Sequence, residues 1–94
     1  MSTSAVDVFD AARPYALHPQ LALRPETFGA LAYHYGNRRL TFLKSPQLAA
    51  IVESLGEHPS VDAALRAHGV TAAQRPAILR ALSRLESSEV IGVR

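Results

Sequence analysis

Two short apolar runs flank Gly36-Asn37, and this segment limits the fold more than any other part of the chain. Gly-Asn is a two-residue hairpin signal, because both residues tolerate the positive φ that such turns require. With those two as the loop, Tyr35 pairs with Arg38, Tyr33 with Leu40, and Leu31 with Phe42. The register can be checked internally. It gathers Leu31, Tyr33, Leu40 and Phe42 on one face and Ala30, Ala32, His34, Arg39 and Thr41 on the other, and a one-residue slip would scramble that segregation. Core packing is the simpler expectation for the larger apolar face, with Tyr35 and Arg38 exposed at the hairpin end. The alternative is an aromatic platform of Phe28, Tyr33, Tyr35 and Phe42 stacked on single-stranded nucleic acid.

Before the hairpin, Tyr15, Leu17, Leu21 and Leu23 fall on odd positions, the two-residue period of a half-buried strand. Pro19 lies on the same parity and cannot donate a ladder hydrogen bond, so this strand lies at an edge or is broken there. Helices follow. Ser45 is a good N-cap and Pro46 suits the first helical position, and Leu48, Ile51, Val52 and Leu55 form an apolar stripe up to Gly56. Ser60 caps a second helix carrying Asp62, Val61, Ala64 and Leu65 and ending at Gly69. Thr71 opens a third, with Ile78, Leu79, Leu82 and Leu85, although Pro76 delays its regular part. Glu89 to Arg94 either adds a short strand or packs Val90 and Ile91 on the core. The expectation is an α+β domain of the winged helix-turn-helix kind, a three-stranded antiparallel sheet followed by three helices. Residues 1–12 read as a flexible N-terminal segment and residues 13–94 as the one folded domain, since 94 residues bury a single modest core.

Little here suits catalysis. His18, His34, His58 and His68 show no metal-ligand spacing, there is no cysteine to help them, and Glu86 and Glu89 sit one turn apart as on an ordinary solvated face. No phosphate-binding or nucleophile motif is present. The sequence therefore predicts neither an enzyme nor a bound cofactor or metal. No apolar stretch approaches the ~20 residues of a membrane span, and a cytoplasmic location is the default for a cysteine-free chain. The net charge of +2, almost all of it arginine, suits nucleic acid or an acidic peptide equally.

Two binding uses of this architecture compete. In a DNA reader the third helix would enter the major groove with Arg75, Arg80 and Arg84, but it opens with Ala72-Ala73-Gln74 and a proline, which offer few side chains to base edges. A peptide binder would use the strand Arg38, Arg39, Leu40, Thr41, Phe42 and Leu43, whose outer edge can accept an extended peptide as a further strand. Leu43 with Ile78, Leu79 or Leu82 would then form apolar pockets, and Arg39 and Arg75 would meet acidic residues. The same edge could pair with a second copy, a homodimer that would compete with peptide.

From Tyr15 onward the chain resembles the mycofactocin precursor-peptide chaperones, the MftB family. The resemblance is densest in F-G-A-L-A-Y-H-Y-G-N-R-R-L-T-F-L-K-S-P, Phe28 to Pro46, and continues through HPSVDAALRAHGV. It implies a PqqD-like peptide recognition domain, in which a leader peptide joins the third strand in a groove against the third helix. By position these are Arg38 to Leu43, with Arg75, Ile78, Leu79 and Leu82. The implied partners are the leader of the mycofactocin precursor peptide and a radical S-adenosylmethionine maturase. Iron–sulfur clusters and S-adenosylmethionine would belong to that maturase, not to this chain.

Overall fold

In the computed structural model, which describes residues 9–94, Pro19 divides the first expected strand in two. Without an N–H at that position one continuous ladder cannot form. The chain instead turns through residues 18–20, where the Leu21 N–H donates to the His18 carbonyl at 3.0 Å. Strand β1 (Tyr15–Leu17) leaves to pair antiparallel with β5 (Ile91–Val93). Strand β2 (Leu21–Glu26) joins β3 (Gly29–His34) and β4 (Arg39–Leu43) in an antiparallel sheet of order β2-β3-β4. The tail thus supplies a strand, and Val90 and Ile91 are buried as well.

The hairpin has the expected register, with Leu31 opposite Phe42 and Tyr33 opposite Leu40. Its ladder stops one pair early, at His34 and Arg39, leaving a turn over residues 35–38. Side chains replace the missing backbone pair. His34 Nδ1 accepts from the Gly36 and Asn37 N–H groups at 3.1 Å each, and Asn37 Oδ1 accepts from the Arg39 N–H at 2.9 Å. Arg38 takes the left-handed conformation that closes the loop, at φ 64°.

The expected faces are reversed. Ala30, Ala32 and His34 are at most 3% exposed, whereas Tyr33, Leu40 and Phe42 are 40–53% exposed. Bulk explains the reversal. Leu21 and Leu23 on β2 and Leu43 on β4 flank the small Ala30 and Ala32 of the central strand on the inner face, leaving a trough into which a helix can settle closely. Gly29 closes one end of it. A Cβ there would lie 2.0 Å from the Leu43 carbonyl oxygen, and its φ of 146° also favours glycine.

Helix α1 (Pro46–Ser54) packs over this side of the sheet and buries Ala49, Ile51 and Val52. Ser45 caps it by accepting from the Leu48 N–H at 3.1 Å. A 3₁₀ turn, Leu55–Glu57, leads to α2 (Val61–Ala67), capped in turn by Ser60 on the Ala63 N–H. Gly69, at φ 69°, ends α2, with the Val70 N–H returning to the Leu65 carbonyl and the Gly69 N–H to that of Arg66. Helix α3 (Arg75–Ser87) begins four residues after Thr71. Residues 71–74 form a reciprocal turn in which Thr71 and Gln74 side chains bond each other's backbone N–H, and Pro76 then falls in the first helical turn. The core joins Tyr15, Leu43, Ile51, Val52, Leu55, Val61, Leu65, Leu82, Val90 and Ile91. This is the α+β arrangement of a PqqD-like domain, with β1 and β5 added as a two-stranded ribbon. Of the lead-in expected over residues 1–12, residues 1–8 lie outside the described residues. Phe9 packs against Tyr15 at 4.7 Å between ring centroids, and the Ala11 carbonyl accepts from the Asp62 N–H. Among the described residues no helix is long and apolar enough to cross a membrane.

Candidate peptide-binding site

The three-stranded sheet has two outer edges, and they differ chemically. Strand β2 carries Pro25 opposite Ala30, which removes a backbone donor and blunts that edge. Strand β4 contains no proline, and among the described residues no further strand pairs with it. It therefore offers a row of unpaired N–H and C=O groups to an extended chain.

Beside that edge lies a groove of about 280 Å3, lined by Thr41, Phe42 and Leu43 of β4, Leu48 of α1, and Ala81, Arg84, Leu85 and Ser88 near the end of α3. Its walls are mostly apolar, and its one charged lining residue is Arg84. The exposed Arg38 and Arg39 stand at the hairpin end of the same strand. An extended segment with apolar anchors and an acidic residue matches this surface.

The residues singled out from sequence are distributed as follows. Thr41, Phe42 and Leu43 line the groove, while Leu40 points to the opposite, outer face of the sheet. Ile78 and Leu79 are half-buried against the core and Leu82 is fully buried within it. Arg75 is held by an ion pair with Asp62 of α2, away from the groove lining. Sequence reasoning missed Ala81, Arg84, Leu85 and Ser88. Leu85 stands in the apolar stripe and Arg84 among the DNA contacts, neither of them assigned to the groove, and Ala81 and Ser88 are too small and polar for an apolar pattern search to mark.

The fold brings together histidines that looked scattered. Ligand atoms of His18, His34 and Glu89 lie within 4.8 Å of one another, and the two rings are 4.2 Å apart. Their hydrogen bonds argue against a metal. His34 Nδ1 accepts two backbone N–H bonds and His18 Nδ1 accepts one from Gln20 at 3.0 Å, so each neutral ring carries its proton on Nε2. A metal at Nε2 needs that lone pair, with the other nitrogen donating. The His34 Nε2, buried and without a hydrogen-bond partner among the described residues, instead faces Glu89 Oε1 at 3.7 Å. Glu89 occupies the left-handed position after α3, at φ 63°, and accepts from Asn37 Nδ2 at 3.5 Å. The cluster ties the hairpin turn to the end of α3, whose last residues line the groove.

Residues 14–92 match the family described as the peptide chaperone MftB family. The chain is 44% identical over 90 residues to a protein named peptide chaperone MftB from Mycobacterium ulcerans (strain Agy99), covering 96% of this chain and 83% of that one. It is 45% identical over 83 residues to the like-named protein of Mycobacterium tuberculosis (strain ATCC 25618 / H37Rv), covering 88% and 76%. With that of Mycolicibacterium smegmatis (strain ATCC 700084 / mc(2)155) it shares 43% over 93 residues, covering 97% and 91%. No solved structure matches the chain.

Proposed function

The chain belongs to the MftB family of peptide chaperones, and from that premise we propose that it binds the leader of the mycofactocin precursor peptide along β4 and presents it to a radical S-adenosylmethionine maturase in the cytoplasm. The family is one of chaperones and not of enzymes. One observation supports the mode of binding above the rest. The edge of the sheet without proline has an apolar groove beside it walled by the end of α3, whereas the pocket beside the other edge, between Leu23 and Pro25 of β2 and α1, adjoins a strand whose proline lacks a backbone donor. Backbone pairing along β4 holds the leader without demanding a sequence, and the wall formed by Ala81, Arg84, Leu85 and Ser88 selects its anchors. The alternative of a DNA reader finds no support in the relatives, and Arg75, its leading base contact, is engaged by Asp62.

The test is an NMR titration of the labelled chain with a synthetic leader peptide. Saturable shifts should concentrate in residues 39–43 and in the groove wall of α3. Phe42→Pro combined with Ala81→Asp should weaken binding at least ~10-fold, since the first removes a backbone donor that points to the open edge of β4 and the second adds a charge beside the anchors. Deleting the precursor's modified C-terminal end should leave affinity nearly intact, because ordering a contiguous leader segment is what binding requires. A flat titration, still flat with the maturase present, overturns the proposal.

A further inference from the structure

The face of the sheet turned away from the helices carries Leu31 and Tyr33 of β3 with Leu40 and Phe42 of β4, flanked by Phe28 and Tyr35 from the adjoining turns. Phe28 and Phe42 stack at 5.8 Å, and Tyr33 and Tyr35 lie 6.4 Å apart. Large exposed apolar side chains gathered on one side of so small a domain mark an interaction surface. We infer that this outer face is the docking surface for the modifying enzyme, a folded partner presenting an apolar patch ringed by carboxylates. The inference rests on the peptide-chaperone reading above.

Three observations select this occupant. A flexible peptide laid across the middle of a sheet finds its backbone groups already paired, so it gains no hydrogen bonds to offset its ordering, whereas a folded partner arrives with its patch preorganised. A second copy is disfavoured by charge. The sheet and its turns, residues 21–44, carry the exposed cations Arg24, Arg38, Arg39 and Lys44 against a single acid, Glu26, which is bound to Arg24 at 2.8 Å. Face-to-face self-association would oppose like-charged rims, while an acidic rim on another protein would complement them. The third observation is continuity. Phe42 belongs both to this face and to the lining of the peptide groove. Because strands alternate their side chains, a leader added to β4 turns every second residue outward beside Leu40 and Phe42. A partner seated there touches chaperone and substrate together, which is the position an enzyme needs if it is to accept the loaded complex.

The experiment measures, for one set of variants, the affinity for the purified maturase and, separately, for the leader peptide. Leu31→Ser combined with Tyr33→Ser strips the centre of the face on β3, the central strand, away from the edge that takes the leader and outside the groove lining. It should weaken maturase binding at least ~10-fold while leaving leader affinity within about two-fold. Arg24→Glu should weaken maturase binding several-fold at low salt, with the difference shrinking as salt rises. Unchanged maturase affinity in folded Leu31→Ser/Tyr33→Ser protein overturns the inference, as does loss of leader binding in parallel. Equally decisive against it would be a wild-type dimer in sedimentation that the double variant converts to monomer, since the face would then belong to a second copy. A wild-type chain that binds maturase but no leader removes the peptide reading instead, and that outcome is told apart by the leader arm.

Discussion

His34 shows how much one side chain can decide. Its ring is buried in the sheet, its Nδ1 holds two backbone N–H groups of the hairpin turn, and its Nε2 faces Glu89 at the end of α3. Replacing it with alanine leaves the Gly36 and Asn37 donors without that acceptor and should cost about 2 kcal/mol, read from urea unfolding. His34→Asn, whose Oδ1 can reach the same two donors, should recover part of that loss. None of this was legible in the sequence, because a hydrogen-bond role depends on a turn folding back two and three residues later. Among the described residues, Tyr15 carries the one clear pKa displacement. Burial of its ring raises the hydroxyl above its ordinary value near 10, and Glu86 adds to the effect, opposed by the Asp10 backbone N–H and Arg13. The folded state therefore favours the neutral phenol. This stabilising term is complete below the unfolded value and is lost as pH rises through the raised folded one. Alkaline titration should unfold the protein at lower urea above pH ~10, and Tyr15→Phe, which cannot ionise, should lose that contribution to the pH dependence.

At the level of elements, the hairpin register, the two serine caps and the order of strands and helices could all be read from residue spacing. Which side of the sheet meets the helices could not. Alternation tells which side chains share a face, and size ordinarily suggests that the bulkier set is inside. Here the central strand turns alanines inward because Leu21, Leu23 and Leu43 on its neighbours already supply the bulk. The consequence is a sharp contrast between adjacent residues of β3 and β4. Ala32→Leu, at a fully buried position between the sheet and the helices, should cost about 2 kcal/mol or more by thermal unfolding, whereas Leu40→Ser on the exposed side should cost under ~0.5 kcal/mol. The same reasoning about edges assigns a role to Pro25. Pro25→Val would restore the backbone donor on β2, and concentration-dependent association should then appear in sedimentation velocity. The groove wall on α3 escaped the sequence because Ala81, Arg84 and Ser88 are small or charged and Leu85 reads as ordinary core, and only their position beside β4 marks them out.

For the molecule as a whole, the ribbon of β1 and β5 is the feature that sequence could half anticipate. A short final strand was one of two readings of the tail. Its partner lay at the far end of the chain, beyond the reach of any local pattern. The ribbon binds its surroundings closely: the Arg94 N–H donates to the Pro14 carbonyl, and its guanidinium reaches the Gly56 and His58 carbonyls at 2.7 and 2.5 Å. Removing residues 91–94 should leave Tyr15 and Leu17 without their strand partner and give a protein that no longer unfolds in a single cooperative transition, as seen by circular dichroism. Because Tyr15 stands opposite Val93, the backbone path through this domain comes back almost to where it set out. Topologically the domain is nearly a ring. It could be spliced into a surface loop of a larger host, or reopened at the turn over residues 71–74 and sealed across the ribbon, while β4 and its groove stayed intact.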